Sequence, residues 1–98
     1  MPKELCLGYL TIAVEYKAME GATGQYDAHP PRIAIAPEQR IDQEANTLLH
    51  ESLHAMWDHF SLPADEEERC VTLLANGLTE LIVRNPDLLK YLCRLNGD

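Results

Sequence analysis

Apolar and polar positions along this chain follow two different periods, and the change falls near residue 40. Before it the period is two. Thr11 to Tyr16 places Ile12, Val14 and Tyr16 on one side, and its β-branched and aromatic content suits a pleated surface, so a strand is expected there. Gly21 to Gly24 reads as a turn and Gln25 to Asp27 as a second short strand. His29-Pro30-Pro31 reads as loop, because consecutive prolines donate nothing to a ladder. Arg32 to Ala36 alternates again and stops at Pro37, which predicts a third strand.

From Ile41 onward the period is 3.6. With His50 at angle zero, Ile41, Ala45, Leu48, Leu49, Leu53, Met56 and Phe60 fall within roughly 160–300°, an apolar arc that predicts a core-facing helix over 41–60. Pro63 interrupts. Asp65 with Glu68 three residues later forms the pattern of a capping box, opening a second helix that runs to Arg84. Asn85 then caps a third helix with Pro86 in its first turn, carrying Leu88, Leu89, Leu92 and Leu95 before Asn96 and Gly97 release the chain. Short N-terminal antiparallel strands followed by three helices make an α+β fold, and 98 residues without an internal repeat fit one domain, 1–98.

Composition narrows the function. Sixteen acidic against eight basic residues give a net charge of −8, which repels nucleic-acid phosphate and anionic membrane surfaces, so neither is an expected partner. No apolar run approaches the roughly 20 residues a membrane span needs, and the N-terminus lacks an export core. Cys6, Cys70 and Cys93 form no close pair, which suits reduced thiols and a cytoplasmic location.

Chemistry concentrates in the first helix. His50-Glu51-Ser52-Leu53-His54 is an H-E-x-x-H motif, whose i, i+4 spacing sets two imidazoles on one side of a helix within reach of a single Zn²⁺. Glu51 is too far round the helix to be the obvious third ligand but is placed to accept a proton from water activated at the metal, as a general base. Thr47, His50, Glu51, His54 and Asp58 lie opposite the apolar arc, so the helix is expected to have one packing face and one chemical face.

An open catalytic zinc site needs a third protein ligand, and Glu66, Glu67 and Glu68 are at hand. With Glu67 at zero, Leu78, Val71, Ile82, Leu74 and Leu81 cluster around it, so Glu67 points into the apolar stripe and is the expected ligand; a phase shift of one residue promotes Glu68. First-turn acids also complement the helix dipole, which accounts for Glu66 and Glu68. His59 lies about 180° from His50 and is rejected as a ligand of the same ion. His29 reads as a solvated loop residue. Tyr26 could serve as an oxyanion donor, but core or sheet packing is the stronger reading, and Trp57 reads as core.

His50-Glu51-Ser52-Leu53-His54, the acids Asp65 to Glu68, and Leu78 to Tyr91 with Asn85-Pro86 together resemble small zincin-type metallopeptidase-like proteins encoded by phages and prophages. Gluzincins and ImmA/IrrE-like peptidases are the wider relatives. The resemblance implies a minimal zincin-like fold, zinc on His50, His54 and Glu67, and Glu51 as the base of a zinc-dependent peptidase. It departs in having Leu53 before the second histidine, where many zincins have glycine, and a short link from His54 to Glu67. A peptide or protein substrate, or a regulatory protein, would then be the partner, an extended substrate pairing with the edge of the Arg32 to Ala36 strand. The competing expectation is a non-catalytic acidic interaction protein in which the same ligands hold a structural ion, or none, and the −8 surface binds a basic host partner. Glu51 separates the two, since a structural site has no use for a general base.

Overall fold

The computed structural model describes residues 1–97, which form four strands and then three helices. The strands are β1 (Glu4–Leu7), β2 (Leu10–Tyr16), β3 (Gly24–Ala28) and β4 (Pro31–Ile35). They are followed by α1 (Ile41–His59), α2 (Glu67–Arg84), α3 (Pro86–Cys93) and a 3₁₀ turn, Arg94–Asn96. The α+β order is as expected.

The sheet departs from expectation in three ways. First, β1 is an additional strand, paired antiparallel to β2 from Glu4 opposite Ala13 to Leu7 opposite Leu10. The turn between them is Gly8-Tyr9, with Gly8 at φ 59, the left-handed first position that a two-residue hairpin of the Gly-x kind requires. Second, the sheet is mixed. Its order is β1-β2-β4-β3, with β2 and β4 parallel while β3 and β4 are antiparallel. The link from Lys17 to Thr23 is long enough for the chain to pass beyond one strand position, and β4 returns through the short His29-Pro30 turn into the gap. Third, β4 is therefore an inner strand paired on both sides, so it has no free edge for a substrate. The edges are β1 and β3. Pro31 opens β4, a place where a strand tolerates proline.

One face of the sheet carries the core. Ile12, Val14, Ile33 and Ile35 are buried together with Ala55 of α1, and Leu5, Leu7, Leu10, Tyr26 and Leu48 pack around them. The helix is pinned to the sheet at both ends: the Tyr16 hydroxyl donates to Glu44 Oε1 at 2.7 Å near its start, and His59 rests on the β1–β2 turn at its end. An added Cβ at Gly8 would come within 2.7 Å of His59 Nε2, so that position needs glycine for space as well as for φ.

The rotation of α1 overturns the expected split into a packing face and a chemical face. Its buried residues are Thr47, Glu51 and Ala55, an i, i+4, i+8 stripe, whereas Ile41 is 80% and Phe60 61% exposed. The polar stripe is turned inward because α1 is packed on two sides, with the sheet on one and α2 on the other. Trp57 is half-buried, its indole N–H donating to the Pro63 carbonyl at 2.7 Å and fixing the α1–α2 connection.

Helix α2 buries Val71 and Ala75 and begins at Glu67 after Glu66, whose φ is 64. The Asp65–Glu68 capping box does not form, because the Glu68 carboxylate is turned toward α1. Asn85 precedes Pro86 at the start of α3, but its side-chain amide donates back to the Leu81 carbonyl at 2.8 Å, so it closes α2 and does not cap α3. All three cysteines are free thiols, and no helix among the described residues is long and apolar enough to cross a membrane.

Candidate metal centre

Successive turns of α1 present His50 and His54 to the N-terminus of α2. Their rings lie 4.9 Å apart between centroids, and both Nε2 atoms face one carboxylate, that of Glu68. Glu68 Oε1 is 3.0 Å from His50 Nε2 and Oε2 is 2.8 Å from His54 Nε2. His50, His54 and Glu68 each offer a ligand atom, all within 4.8 Å of one another.

Glu67, the expected third ligand, has a different place. Its Oε2 lies 2.7 Å from Nδ1 of His54, on the far side of that ring. The wheel explains the division of labour. Buried Val71 and Ala75 and half-buried Leu78 and Ile82 centre about 50° from Glu67, so the inward direction falls midway between Glu67 and Glu68, and both carboxylates reach the histidines. Glu67 is the more enclosed, 30% exposed against 70% for Glu68, which is how the apolar stripe singled it out. Enclosure did not decide which ring nitrogen each acid meets.

The donor set fits a divalent cation. A neutral imidazole has one N–H. His54 has a carboxylate oxygen at each ring nitrogen, so both contacts are attractive only if a cation, a second proton or a metal ion, stands on one side. With Nδ1–H donated to Glu67, the Nε2 lone pair is directed toward His50 and Glu68, the arrangement in which an outer carboxylate orients a metal-binding histidine. The three ligand atoms lie within 4.8 Å of one another, against the roughly 3.3 Å edge of a tetrahedron with 2.0–2.1 Å bonds, so side-chain adjustment would bring them onto one ion.

Glu51 stands beside this group, buried at 7% exposure under the first residue of β3. A Cβ on Gly24 would lie 3.0 Å from Glu51 Cγ, 3.1 Å from Oε2 and 2.6 Å from Thr47 Cγ2, so the missing side chain is what admits Glu51 beneath the strand. Burial raises the Glu51 carboxyl above its ordinary range; the nearby imidazoles of His50 and His54 oppose that rise, and the Glu68 carboxylate adds to it. Thr47 donates to Gln39 Oε1 at 3.0 Å, and Gln39 in turn donates to the Ala36 carbonyl at 2.9 Å, tying the segment after β4 to the same stripe.

These residues line a cleft of about 1070 Å³ between α1, β3 and the start of α2. Tyr26 lines it as well, its hydroxyl donating to Asp58 Oδ2 at 3.1 Å; burial and that hydrogen bond raise the phenol above its ordinary range, so it remains a neutral donor. Two histidines lie elsewhere. His29 is exposed in the β3–β4 turn, and His59 packs with Tyr9 and Phe60 at the other end of α1. The residue that sequence reasoning passed over is Gly24. Its only signal was the turn-like Gly21-x-x-Gly24 spacing, which says nothing about a carboxylate below. Comparison with protein-family models, curated proteins and solved structures found no match.

Proposed function

We propose that this protein is a zinc-dependent peptidase with His50, His54 and Glu68 as metal ligands, Glu67 holding His54 in register and Glu51 as general base. The observation that supports this best is the convergence of two imidazole Nε2 atoms and a carboxylate on the wall of a cleft, with a buried carboxyl group beside them. Zinc bound there would polarise a scissile carbonyl and the attacking water. Glu51 accepts the proton of that water and passes it to the leaving amine, and a carboxyl raised toward neutrality is suited to both halves of the transfer. The Thr23 carbonyl accepts from Ala36 N–H at 2.8 Å, so by alternation Gly24, Tyr26 and Ala28 turn their backbone groups to the free edge of β3. That edge, and not β4, pairs with an extended substrate. A structural ion held for a binding role would be enclosed by four ligands. Three candidate ligands on an open cleft favour catalysis.

The test is metal analysis together with hydrolysis of a broad peptide library. The expected result is about one zinc per chain and cleavage abolished by a chelator. Glu51→Gln should keep the metal and lose at least about a hundredfold in rate. A fully zinc-loaded parent that cleaves no peptide would replace this reading with that of an acidic metal-binding interaction protein.

A further inference from the structure

From the same cleft we infer a preference for extended peptides bearing a lysine or arginine, received by Asp58 and the aromatic rings of Tyr26 and Trp57. The inference rests on the cleft taking an extended chain along β3, as in the peptidase reading, but it does not require that the chain be cut.

Five carboxylates line the cleft, and no lysine or arginine does. Four are accounted for. Glu67 and Glu68 contact the histidines, Asp27 is paired with Arg32 at 3.4 Å, and Glu51 is buried beside the histidines as the base of the peptidase reading. Asp58 is the fifth. Its one contact among the described residues is the neutral Tyr26 hydroxyl, and no cationic side chain lies within ion-pair distance of it. Tyr26 therefore orients the carboxylate without neutralising it.

The position is suited to a side chain of the substrate. Asp58 is four residues beyond His54 on α1, about 6 Å along the helix axis. An extended peptide advances about 3.3 Å per residue, so the group that meets Asp58 belongs to a residue within two positions of the bond held at His50 and His54. Gly24, Tyr26 and Ala28 share the α1-facing side of β3, as the Gly24–Glu51 approach and the Tyr26–Asp58 bond show, and a chain added at this edge directs alternate side chains into the same space. A lysine or arginine there meets a carboxylate together with the aromatic surfaces of Tyr26 and Trp57. The stem of such a residue packs on rings while its charge finds a partner. An acidic side chain meets Asp58 as a like charge.

The experiment uses the zinc-loaded full chain and the Glu51→Gln variant, which holds peptides without turning them over. Trp57 is the sole tryptophan and lines the cleft, so its fluorescence reports occupancy directly. The probes are hexapeptides identical except for lysine, norleucine or glutamate at each position in turn. The lysine peptide should bind about tenfold more tightly than the norleucine peptide at one position within two residues of the centre, and the glutamate peptide more weakly than both. Asp58→Asn should bring the lysine-to-norleucine ratio close to one, and Asp58→Lys should invert the lysine-to-glutamate order. Equal binding of the three peptides, a ratio unaltered in Asp58→Asn, or no binding of any of them would each overturn the inference. Lysine-selective binding without hydrolysis by the parent would retain it and overturn the peptidase. Hydrolysis without selectivity would do the reverse.

Discussion

At the scale of single residues, the two acids at the start of α2 differ in which nitrogen of His54 they meet, and that difference is measurable. Glu68→Ala should release zinc, because it removes the carboxylate that faces both Nε2 atoms. Glu67→Ala should keep the metal with an affinity about 10–100-fold weaker, the usual effect of losing an outer partner. Metal titration of the two variants side by side distinguishes them. Glu51 makes a second, pH-dependent prediction. Its folded pKa lies above that of the unfolded chain, so the metal-free fold binds this proton more tightly than the unfolded state does. Its contribution is present below the ordinary carboxylate pKa and is lost as pH rises through the folded value. Glu51→Gln should therefore stabilise the chelated protein at neutral pH, with the gain vanishing below about pH 4, as followed by urea melts at each pH.

At the scale of elements, Gly24 and Gly8 are where the sheet comes closest to α1, at its middle and at its end. Gly24→Ala should drive β3 and Glu51 apart, lowering hydrolysis while His50, His54 and Glu68 keep their zinc. Gly8→Ala should instead lower stability, by about 1–3 kcal/mol in a thermal melt, because it strains a left-handed turn and collides with His59. Much of this scaffold was legible beforehand. Ile12 and Val14, Ile33 and Ile35 alternate plainly, and Asn85-Pro86 punctuates the helices at the right place. The Leu7-Gly8-Tyr9-Leu10 hairpin was also written in the chain, although Leu5 to Leu7 is too short to show a period. What hydropathy misled on was the rotation of α1, since it assigns Thr47 and Glu51 to water and Ile41 and Phe60 to the core. A helix that buries the Glu51 carboxyl group breaks that rule at the candidate site itself. The inner place of β4 depends on strand order, which no local pattern encodes.

At the scale of the whole molecule, the histidine–glutamate contacts join the start of α2 to α1, in addition to the buried Val71 and Ala75 further along α2. Zinc should raise the melting temperature and slow amide exchange in the first turns of α2 more than in β2 or β4, and His50→Ala/His54→Ala should abolish both effects. The strand order also bears on how the chain finds this state. The sheet consists of two hairpins, β1–β2 and β3–β4, each closed by a two-residue turn and each able to form from local contacts. They are united by one parallel seam, Ala13 to Tyr16 against Arg32 to Ile35. Closing that seam is a non-local event, as is the docking of α1 on the sheet through Tyr16–Glu44 and Tyr26–Asp58. Trimming Val14 or Ile33 should accordingly slow refolding, whereas loosening the histidine–glutamate group should chiefly hasten unfolding. The cleft wall built by His50, His54, Glu67 and Glu68 would then be the last part of the molecule to assemble and the first to come undone.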